Sequence, residues 1–244
     1  MFRTEDLHDS VDIINIITYL RRKVNHMKVY DPYNHGKWIN NYEESDFNNS
    51  DIVVLPGGSD ILPKYYNHSA IPGCYYNEKR DIEEYSLLQK AIDVGKFLIG
   101  TCKGAQWLTI AAGGWLIQDI SNHHNHHTVI TSDGKSFMIN SSHHQMCYPY
   151  DLPKSDYKIL AWAQQQSSYH IIQEQKQLIF PTIALDNDDL FKEPEAIWYP
   201  KIKGLALQNH FEWSSNSSES YEWVNEKLIE LYNENHELSK AKGI

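Results

Sequence analysis

The segment FLIGTCKGAQ, residues 97–106, places a cysteine between two glycines in the pattern Gly-x-Cys-x-Gly. Apolar residues precede Cys102 and helix-forming residues follow it, which predicts a sharp strand-to-helix turn that presents a nucleophile. The N-terminus of the following helix would favour the thiolate form of Cys102. The main-chain N–H of Lys103 would then point at a developing oxyanion. The alternative is a buried structural cysteine, the commonest fate of a free thiol.

A cysteine nucleophile needs a base, and the sequence offers 13 histidines. His210 follows the apolar stretch GLALQ, and Glu212 comes two residues later. In an extended chain, residues i and i+2 face the same side, so Glu212 could orient His210 at the end of a strand. Catalytic residues of parallel sheets gather at such strand ends. The alternative is a surface turn with an incidental ion pair.

The elements that must position these residues alternate between strand and helix. Strands are predicted at 51–56 and 97–100, and helices at 78–94 and 103–112, which indicates a parallel sheet covered on both faces. Other predicted elements are a helix at 11–24, a strand at 28–31, a hairpin around 132–135, strands near 157–162, 195–199 and 204–208, and a helix at 219–235. We therefore predict one three-layer α/β domain over residues 1–244.

Composition narrows the classes of partner. The formal net charge of −10 disfavours a nucleic-acid partner. Three cysteines in 244 residues disfavour a disulfide framework and indicate a reducing compartment. The polar N-terminus is unlike a signal peptide, and no apolar run is long enough for a membrane span. These features predict a soluble cytoplasmic protein.

Seven short motifs follow one another along the chain. They are Leu55-Pro56-Gly57-Gly58-Ser59-Asp60-Ile61-x-Pro63-x-x-Tyr66, Arg80-Asp81-x-x-Glu84, Gly100-Thr101-Cys102-Lys103-Gly104-Ala105-Gln106, Gly113-Gly114-x-Leu116-x-Gln118-Asp119-Ile120, Asn140-Ser141-x-His143-His144-Gln145, Glu195-Ala196-Ile197 and Gln208-x-His210-x-Glu212. These motifs, and their order, resemble those of class I glutamine amidotransferase-like proteins. The resemblance is greatest to the peptidase C26 branch, which contains the γ-glutamyl hydrolases and γ-glutamyl-γ-aminobutyrate hydrolases.

The resemblance implies a flavodoxin-like α/β/α fold with a mostly parallel central sheet and antiparallel additions. It also implies that Cys102 attacks the γ-carbonyl of a glutamyl amide, with His210 as base and Glu212 as its orienting carboxylate. The N–H groups of Gly58 and Lys103 would form the oxyanion hole. Residues expected on the substrate side are Gln106, Ser141, His143, His144 and Gln145. No cofactor is implied.

The sequence also departs from the family pattern. Asn209 and Phe211 replace the usual Trp and Pro beside the histidine, Thr109 and Trp115 are unusual, and the first strand before residue 20 is not recognisable. Three functions therefore stay open. They are a stand-alone hydrolase of γ-glutamyl compounds or glutamine, a glutaminase subunit that passes ammonia to a separate synthetase, and a non-catalytic scaffold.

The run Asn122-His123-His124-Asn125-His126-His127 suggests a metal site, because histidine is a common zinc ligand. Adjacent histidines rarely point at one ion, however. We therefore predict a polar, solvated loop and no metal site. Cys74 and Cys147 are predicted to be inert.

Overall fold

Fourteen strands, three α-helices and three short 3-10 helices (Pro63–Tyr66, Pro200–Ile202 and Phe211–Trp213) make up the regular structure of the described residues. In the computed structural model these residues are 27–33, 39, 42–167, 170–172, 176–178, 192–215 and 218–241, without the side chains of 176–178, 212 and 238–241. The strands are β1 (Met27–Tyr30), β2 (Tyr42–Glu44), β3 (Ile52–Leu55), β4 (Phe97–Thr101), β5 (Trp115–Ile117), β6 (Asp119–Ile120), β7 (His127–Thr131), β8 (Ser136–Ile139), β9 (Met146–Tyr148), β10 (Lys158–Ala163), β11 (His170–Ile172), β12 (Lys176–Leu178), β13 (Pro194–Tyr199) and β14 (Gly204–Leu207). The helices are α1 (Glu78–Asp93), α2 (Lys103–Ala111) and α3 (Glu219–Ala241).

Nine of the strands form one mixed sheet in the order β2-β1-β3-β4-β14-β13-β10-β7-β8. The strands from β2 to β14 in this order are parallel to one another. The remaining neighbours, from β14 to β8, pair antiparallel. The carboxyl ends of β3, β4 and β14 therefore meet at one edge of the sheet, where ligand sites of α/β folds usually lie.

Both faces of this sheet are buried at its central strands β3, β4, β14 and β13. In β3, Ile52 and Val54 belong to one apolar cluster, whereas Val53 and Leu55 belong to another, as the two-residue period of a strand requires. Side chains of α3 pack in the first cluster, and those of α1 and α2 pack in the second. The result is three layers, and each fully buried aliphatic side chain contributes about 1.5–3 kcal/mol to stability.

The remaining strands form two smaller sheets outside the nine-stranded sheet. β5 pairs antiparallel with β9, and β11 pairs with both β6 and β12. Their shared apolar cluster contains Ile117, Met146 and Ile172. These short strands were not predicted from the sequence, because they pair between segments that lie far apart in the chain.

The predicted α/β class and most of the predicted elements are confirmed. Helices at 78–94 and 103–112 are present with ends that differ by one residue, and the closing helix runs on to Ala241. The antiparallel half of the sheet is larger than the predicted additions. The helix predicted at 11–24 and the position of the family's first strand lie outside the described residues. Among the described residues, no helix is both long and apolar enough to cross a membrane.

Candidate active site

Cys102 occupies the turn between β4 and α2 with φ 49° and ψ −108°. A positive φ is uncommon for a residue with a side chain and is typical of a strained functional turn. The turn needs its two glycines, since a Cβ at position 100 would lie 2.3 Å from the carbonyl oxygen of Gly104. A Cβ at position 104 would lie 2.1 Å from the carbonyl oxygen of Leu55. The predicted nucleophile turn is therefore present.

His210 lies beside this turn. A Cβ added to Gly57 would come within 2.8 Å of His210 Cε1 and 3.4 Å of Cys102 Cβ, so the three residues converge on one point. The main-chain N–H of His210 donates to the carbonyl of Asn140 at 2.9 Å. Its ring stacks on Trp213 with centroids 3.7 Å apart and planes 2° apart. The carboxyl ends of β3, β4 and β14 thus bring together a thiol and an imidazole.

The backbone after His210 is not extended, contrary to the sequence argument. Phe211–Trp213 form one turn of 3-10 helix. Consecutive residues in such a turn point in directions about 120° apart, so the strand-based reason for pairing His210 with Glu212 is wrong. The side chain of Glu212 lies outside the described part of the structure, and its orienting role stays a prediction. Trp213, which sequence reasoning missed, stacks on the imidazole, although the indole is itself 59% exposed.

The turn after β3 is attached to α1 by an arginine. Arg80 Nη2 donates to the carbonyl oxygen of Gly57 at 2.6 Å, and Arg80 Nε donates to Glu84 at 2.6 Å. The guanidinium packs against Gly58, where a Cβ would lie 2.6 Å from Arg80 Nη1. A side chain at position 58 would therefore displace the guanidinium, which holds the peptide predicted to supply one oxyanion donor.

The side chain of Lys103 points away from the thiol and into the core. Its ammonium donates to Asp81 at 2.7 Å and lies 2.9 Å from Glu84, and all three side chains are buried. Trp107 Nε1 also donates to Glu84 at 2.9 Å. The Arg80-Asp81-x-x-Glu84 motif thus anchors α2, the helix that follows Cys102, to α1.

The residues predicted on the substrate side lie close to one another, mostly facing inward. Gln106 Nε2 donates to the carbonyl of Gln145 at 3.1 Å, and His143 Nδ1 donates to the same carbonyl at 2.9 Å. Ser141 Oγ donates to the carbonyl of His123 at 2.7 Å. Ser141, His143 and Gln145 are buried. The structure therefore groups these residues, and their contact with substrate stays a prediction.

His144 is the more accessible member of that group. Its Nε2 lies 2.9 Å from Asp60, and its Nδ1 lies 3.2 Å from Asp119. The hydrogen bond to Asp60, together with the charges of both carboxylates, outweighs partial burial and raises the pKa of His144. The ring therefore favours its charged form more than an ordinary histidine does.

The histidine run is divided between interior and surface, which corrects the prediction of a solvated loop. His124 and His126 are exposed, whereas His123 is only 1% exposed. His123 lies 2.9 Å from both Glu193 and Glu195. Burial disfavours its charge, but these two carboxylates raise the pKa of His123 to about 9. The signal for this cluster was present in β13, an otherwise apolar strand that begins Pro194-Glu195.

The other two thiols differ from Cys102 in their surroundings. Burial raises the pKa of Cys147 to about 12, and its Sγ lies 2.9 Å from Gln208 Oε1. Burial also raises the pKa of Cys74. Both are therefore poor nucleophiles at neutral pH, since the thiolate is the reactive form.

Comparison with known families bears on the part of the site built by β3 and β4. The sequence profile of the Peptidase C26 family matches residues 40–136, which include both Gly58 and Cys102. The resemblance to the peptidase C26 branch is confirmed. The C26 match ends before His210. The position of His210 beside Cys102 therefore rests on the structure alone.

Individual relatives are similar to this chain over limited stretches. A protein of Rickettsia prowazekii named as glutamine amidotransferase-like is 34% identical over 87 residues, which is 35% of this chain and 31% of that protein. The glutamine amidotransferase-like protein YvdE of Lactococcus lactis is 27% identical over 118 residues, or 39% of this chain and 50% of that protein. The chain thus matches half or less of these curated relatives.

Solved structures support the fold. A Thermoplasma acidophilum protein described as a candidate GMP synthase subunit superposes with a TM-score of 0.54 at 15% identity. The match covers 89% of this chain and 100% of that structure. At this identity the likeness concerns the fold alone, and it agrees with a class I glutamine amidotransferase-like architecture.

Proposed function

We propose that this protein is a cysteine-dependent hydrolase of γ-glutamyl amide bonds, acting on glutamine or a γ-glutamyl compound. The observation that carries the proposal is the position of Cys102, on a strained turn at the N-terminus of α2 and beside the ring of His210. A structural cysteine would need neither a positive φ nor an adjacent imidazole. The match to the Peptidase C26 family supports the choice of a γ-glutamyl substrate.

The proposed reaction has two stages. His210 takes the proton of Cys102, and the thiolate sulfur bonds to the γ-carbonyl carbon while the carbonyl π electrons move to oxygen. The N–H groups of Gly58 and Lys103 stabilise this oxyanion. The oxyanion collapses, the C–N bond breaks, and His210 gives its proton to the departing amine. Water activated by His210 then attacks the thioester, which releases glutamate and restores the thiol.

The substrate side is proposed to include Gln106 and the 141–145 segment. His144 is the member best placed for direct contact, because it is partly exposed and carries a raised pKa. Ser141, His143 and Gln145 hold the segment through buried contacts. Glu212 is proposed to orient His210 from the 3-10 turn.

Purified full chain incubated with L-glutamine and a panel of γ-glutamyl amides would test the proposal, with glutamate release as the measurement. Cys102→Ala is expected to lower kcat by roughly 10⁴-fold or more, the scale reached when a nucleophile is removed. Cys147→Ala is the matched control, since it removes a buried thiol whose pKa is about 12. Equal activity of the two variants would refute the assignment.

A second candidate is a glutaminase subunit that delivers ammonia to a separate synthetase. The glutamine amidotransferase-like names of the relatives favour this function. If the chain is such a subunit, we expect it to cleave glutamine only when a partner protein is added. Rapid cleavage of a γ-glutamyl amide by the chain alone would exclude it in favour of the stand-alone hydrolase. Absence of a Cys102 thioester with every donor would favour the scaffold.

A further inference from the structure

A buried group of histidines surrounds one carboxylate oxygen in the interior. His123 Nδ1 lies 2.9 Å, His127 Nε2 lies 3.0 Å and His143 Nε2 lies 3.4 Å from Glu195 Oε1. The candidate ligand atoms of His123, His143 and Glu195 all lie within 4.8 Å of one another. These three side chains are each no more than 2% exposed. The proposed hydrolysis uses none of them as a reacting group.

The opposite nitrogen of each ring is held by an oxygen acceptor. His123 Nε2 donates to Glu193 at 2.9 Å, His127 Nδ1 donates to the carbonyl of Asn125 at 3.1 Å, and His143 Nδ1 donates to the carbonyl of Gln145. Metal-binding histidines almost always donate their second N–H to a carboxylate or a backbone carbonyl. The group therefore has the outer hydrogen bonds that orient imidazoles toward an ion.

Two buried atoms at the centre have no hydrogen-bond partner among the described residues. They are His143 Nε2 and Glu195 Oε2. Because His143 Nδ1 donates to a carbonyl, Nε2 of the neutral ring carries a lone pair, and this nitrogen lies 3.4 Å from Glu195 Oε1. Two neighbouring acceptors repel each other, and a buried unpaired acceptor costs about 1–3 kcal/mol. A cation between them would satisfy both.

We propose that His123, His143 and Glu195 bind a divalent transition-metal ion of the zinc type. Zinc–ligand bonds of about 2.0–2.1 Å in a tetrahedron place neighbouring ligand atoms about 3.3 Å apart. His123 Nδ1 and His143 Nε2 lie 2.9 Å and 3.4 Å from Glu195 Oε1, on either side of that value. Imidazole nitrogens with one carboxylate suit zinc better than calcium or magnesium.

The ion would join three separate segments, namely residues 123–127, residues 140–145 and strand β13. One of these segments carries the carbonyl of Asn140, which accepts the main-chain N–H of His210 at 2.9 Å. The metal would therefore support the wall of the candidate active site and take no part in bond breaking.

The competing arrangement replaces the ion with protons on His123 and His127. It explains the short contacts of those two rings but leaves His143 Nε2 and Glu195 Oε2 without partners. Measuring metal content separates the two arrangements. The full chain would be freed of metal by a chelator, exposed to zinc chloride, desalted and analysed for zinc, and in parallel loaded with cobalt chloride for visible spectroscopy.

We expect roughly one zinc ion per chain and the visible absorption of tetrahedral Co²⁺. Zinc far below one ion per chain in the intact wild type would overturn the proposal, whether or not any variant folds. His143→Gln should abolish binding, and Glu193→Gln should weaken it by roughly 10–100-fold through its contact with His123. His126→Gln is the control, since this exposed histidine lies in the same run.

Retention of zinc by His143→Gln and by Glu195→Gln would also overturn the proposal, because the ion would then lie elsewhere. The readout is metal content and spectrum, so it is independent of catalysis. Failure of γ-glutamyl hydrolysis with zinc bound would refute the proposed function and leave the metal site standing.

Discussion

Replacement of Lys103 by methionine is expected to destabilise the protein strongly. The ammonium lies in the core, 2.7 Å from Asp81 and 2.9 Å from Glu84. Methionine fills similar space but removes the charge. After the substitution Glu84 keeps Arg80 and the indole N–H of Trp107, both within 2.9 Å. Asp81 keeps only the main-chain N–H of Leu62 at 3.0 Å among its described partners, so its charge is left buried without a cation.

Breaking a buried ion pair from one side typically costs about 3–5 kcal/mol. For a domain of this size, 1 kcal/mol shifts the melting temperature by roughly 2–4 °C, so Tm should fall by roughly 6–20 °C. The assay is urea unfolding followed by circular dichroism, with thermal melts in parallel. Asp81→Asn placed in the Lys103→Met background should recover part of the loss, since it removes the stranded charge and keeps an acceptor for Leu62.

Lys64→Met is the matched control. Lys64 pairs with Glu78 at 2.6 Å, a distance like that in the buried pair, but both side chains are more than half exposed. Solvent screens an exposed pair and leaves it little effect on stability, so this variant should melt near the wild type. Two results would refute the idea that Lys103→Met leaves the Asp81 carboxylate buried without a cation. One is an equal loss of stability in Lys103→Met and Lys64→Met, and the other is a larger loss when Asp81→Asn is added to Lys103→Met.

Three further predictions concern other parts of the site. Gly104→Ala should cost more than about 3 kcal/mol or prevent folding, because the new Cβ would lie 2.1 Å from a backbone carbonyl of β3; a native-like urea midpoint would contradict this. Iodoacetamide at neutral pH, followed by mass spectrometry, should label Cys102 well before Cys147, whose pKa is about 12. His144 has a folded-state pKa above its unfolded value of about 6.5, so its contribution to stability is complete below that value and is lost as pH rises through the folded-state pKa. His144→Gln should therefore destabilise more below pH 6 than above pH 8, and the opposite order would show that Asp60 does not stabilise the charged ring.

The nucleophile turn could be predicted from sequence because its causes are local. Gly100 and Gly104 are required by contacts within the turn itself and with the next strand. The strand and helix on either side are marked by their own apolar patterns. A short window therefore contained nearly all of the information that determines the backbone at Cys102.

The surroundings of the base could not be predicted in this way. The chain leaves β14 and enters a 3-10 turn, and Trp213 stacks on His210 where the sequence argument placed a carboxylate on an extended strand. Nothing in the period-two pattern of GLALQ signals where the strand stops. The packing of Phe211 into the main core, which is a long-range effect, accompanies this bend.

The histidine–glutamate group is an even clearer case of long-range assembly. His123 meets Glu193 and Glu195 across about 70 residues of sequence. From the sequence alone, a run of histidines at consecutive positions is read as a loop. The contacts of His123 with Glu193 and Glu195 become visible only once strand β13 is placed in the sheet.

The contact between Arg80 and Gly57 also sets the direction of a neighbouring dipole. In a trans peptide the C=O of one residue and the N–H of the next point in opposite directions. Because Arg80 binds the Gly57 carbonyl at 2.6 Å, the N–H of Gly58 is directed to the opposite side of the chain. Glycines at both positions would otherwise let this peptide rotate with little steric resistance.

Rotation of that peptide would break a charge-assisted hydrogen bond worth about 1.5–3 kcal/mol. Since about 1.4 kcal/mol corresponds to a factor of ten in an equilibrium constant, the hydrogen bond lowers the population of the inverted peptide by roughly one to two orders of magnitude. A residue on α1 thus controls the population of a conformer in a loop that it does not belong to. In an Arg80→Met variant, the Gly57–Gly58 peptide should exchange between its two orientations. We expect exchange broadening of the Gly58 amide resonance in NMR spectra of that variant.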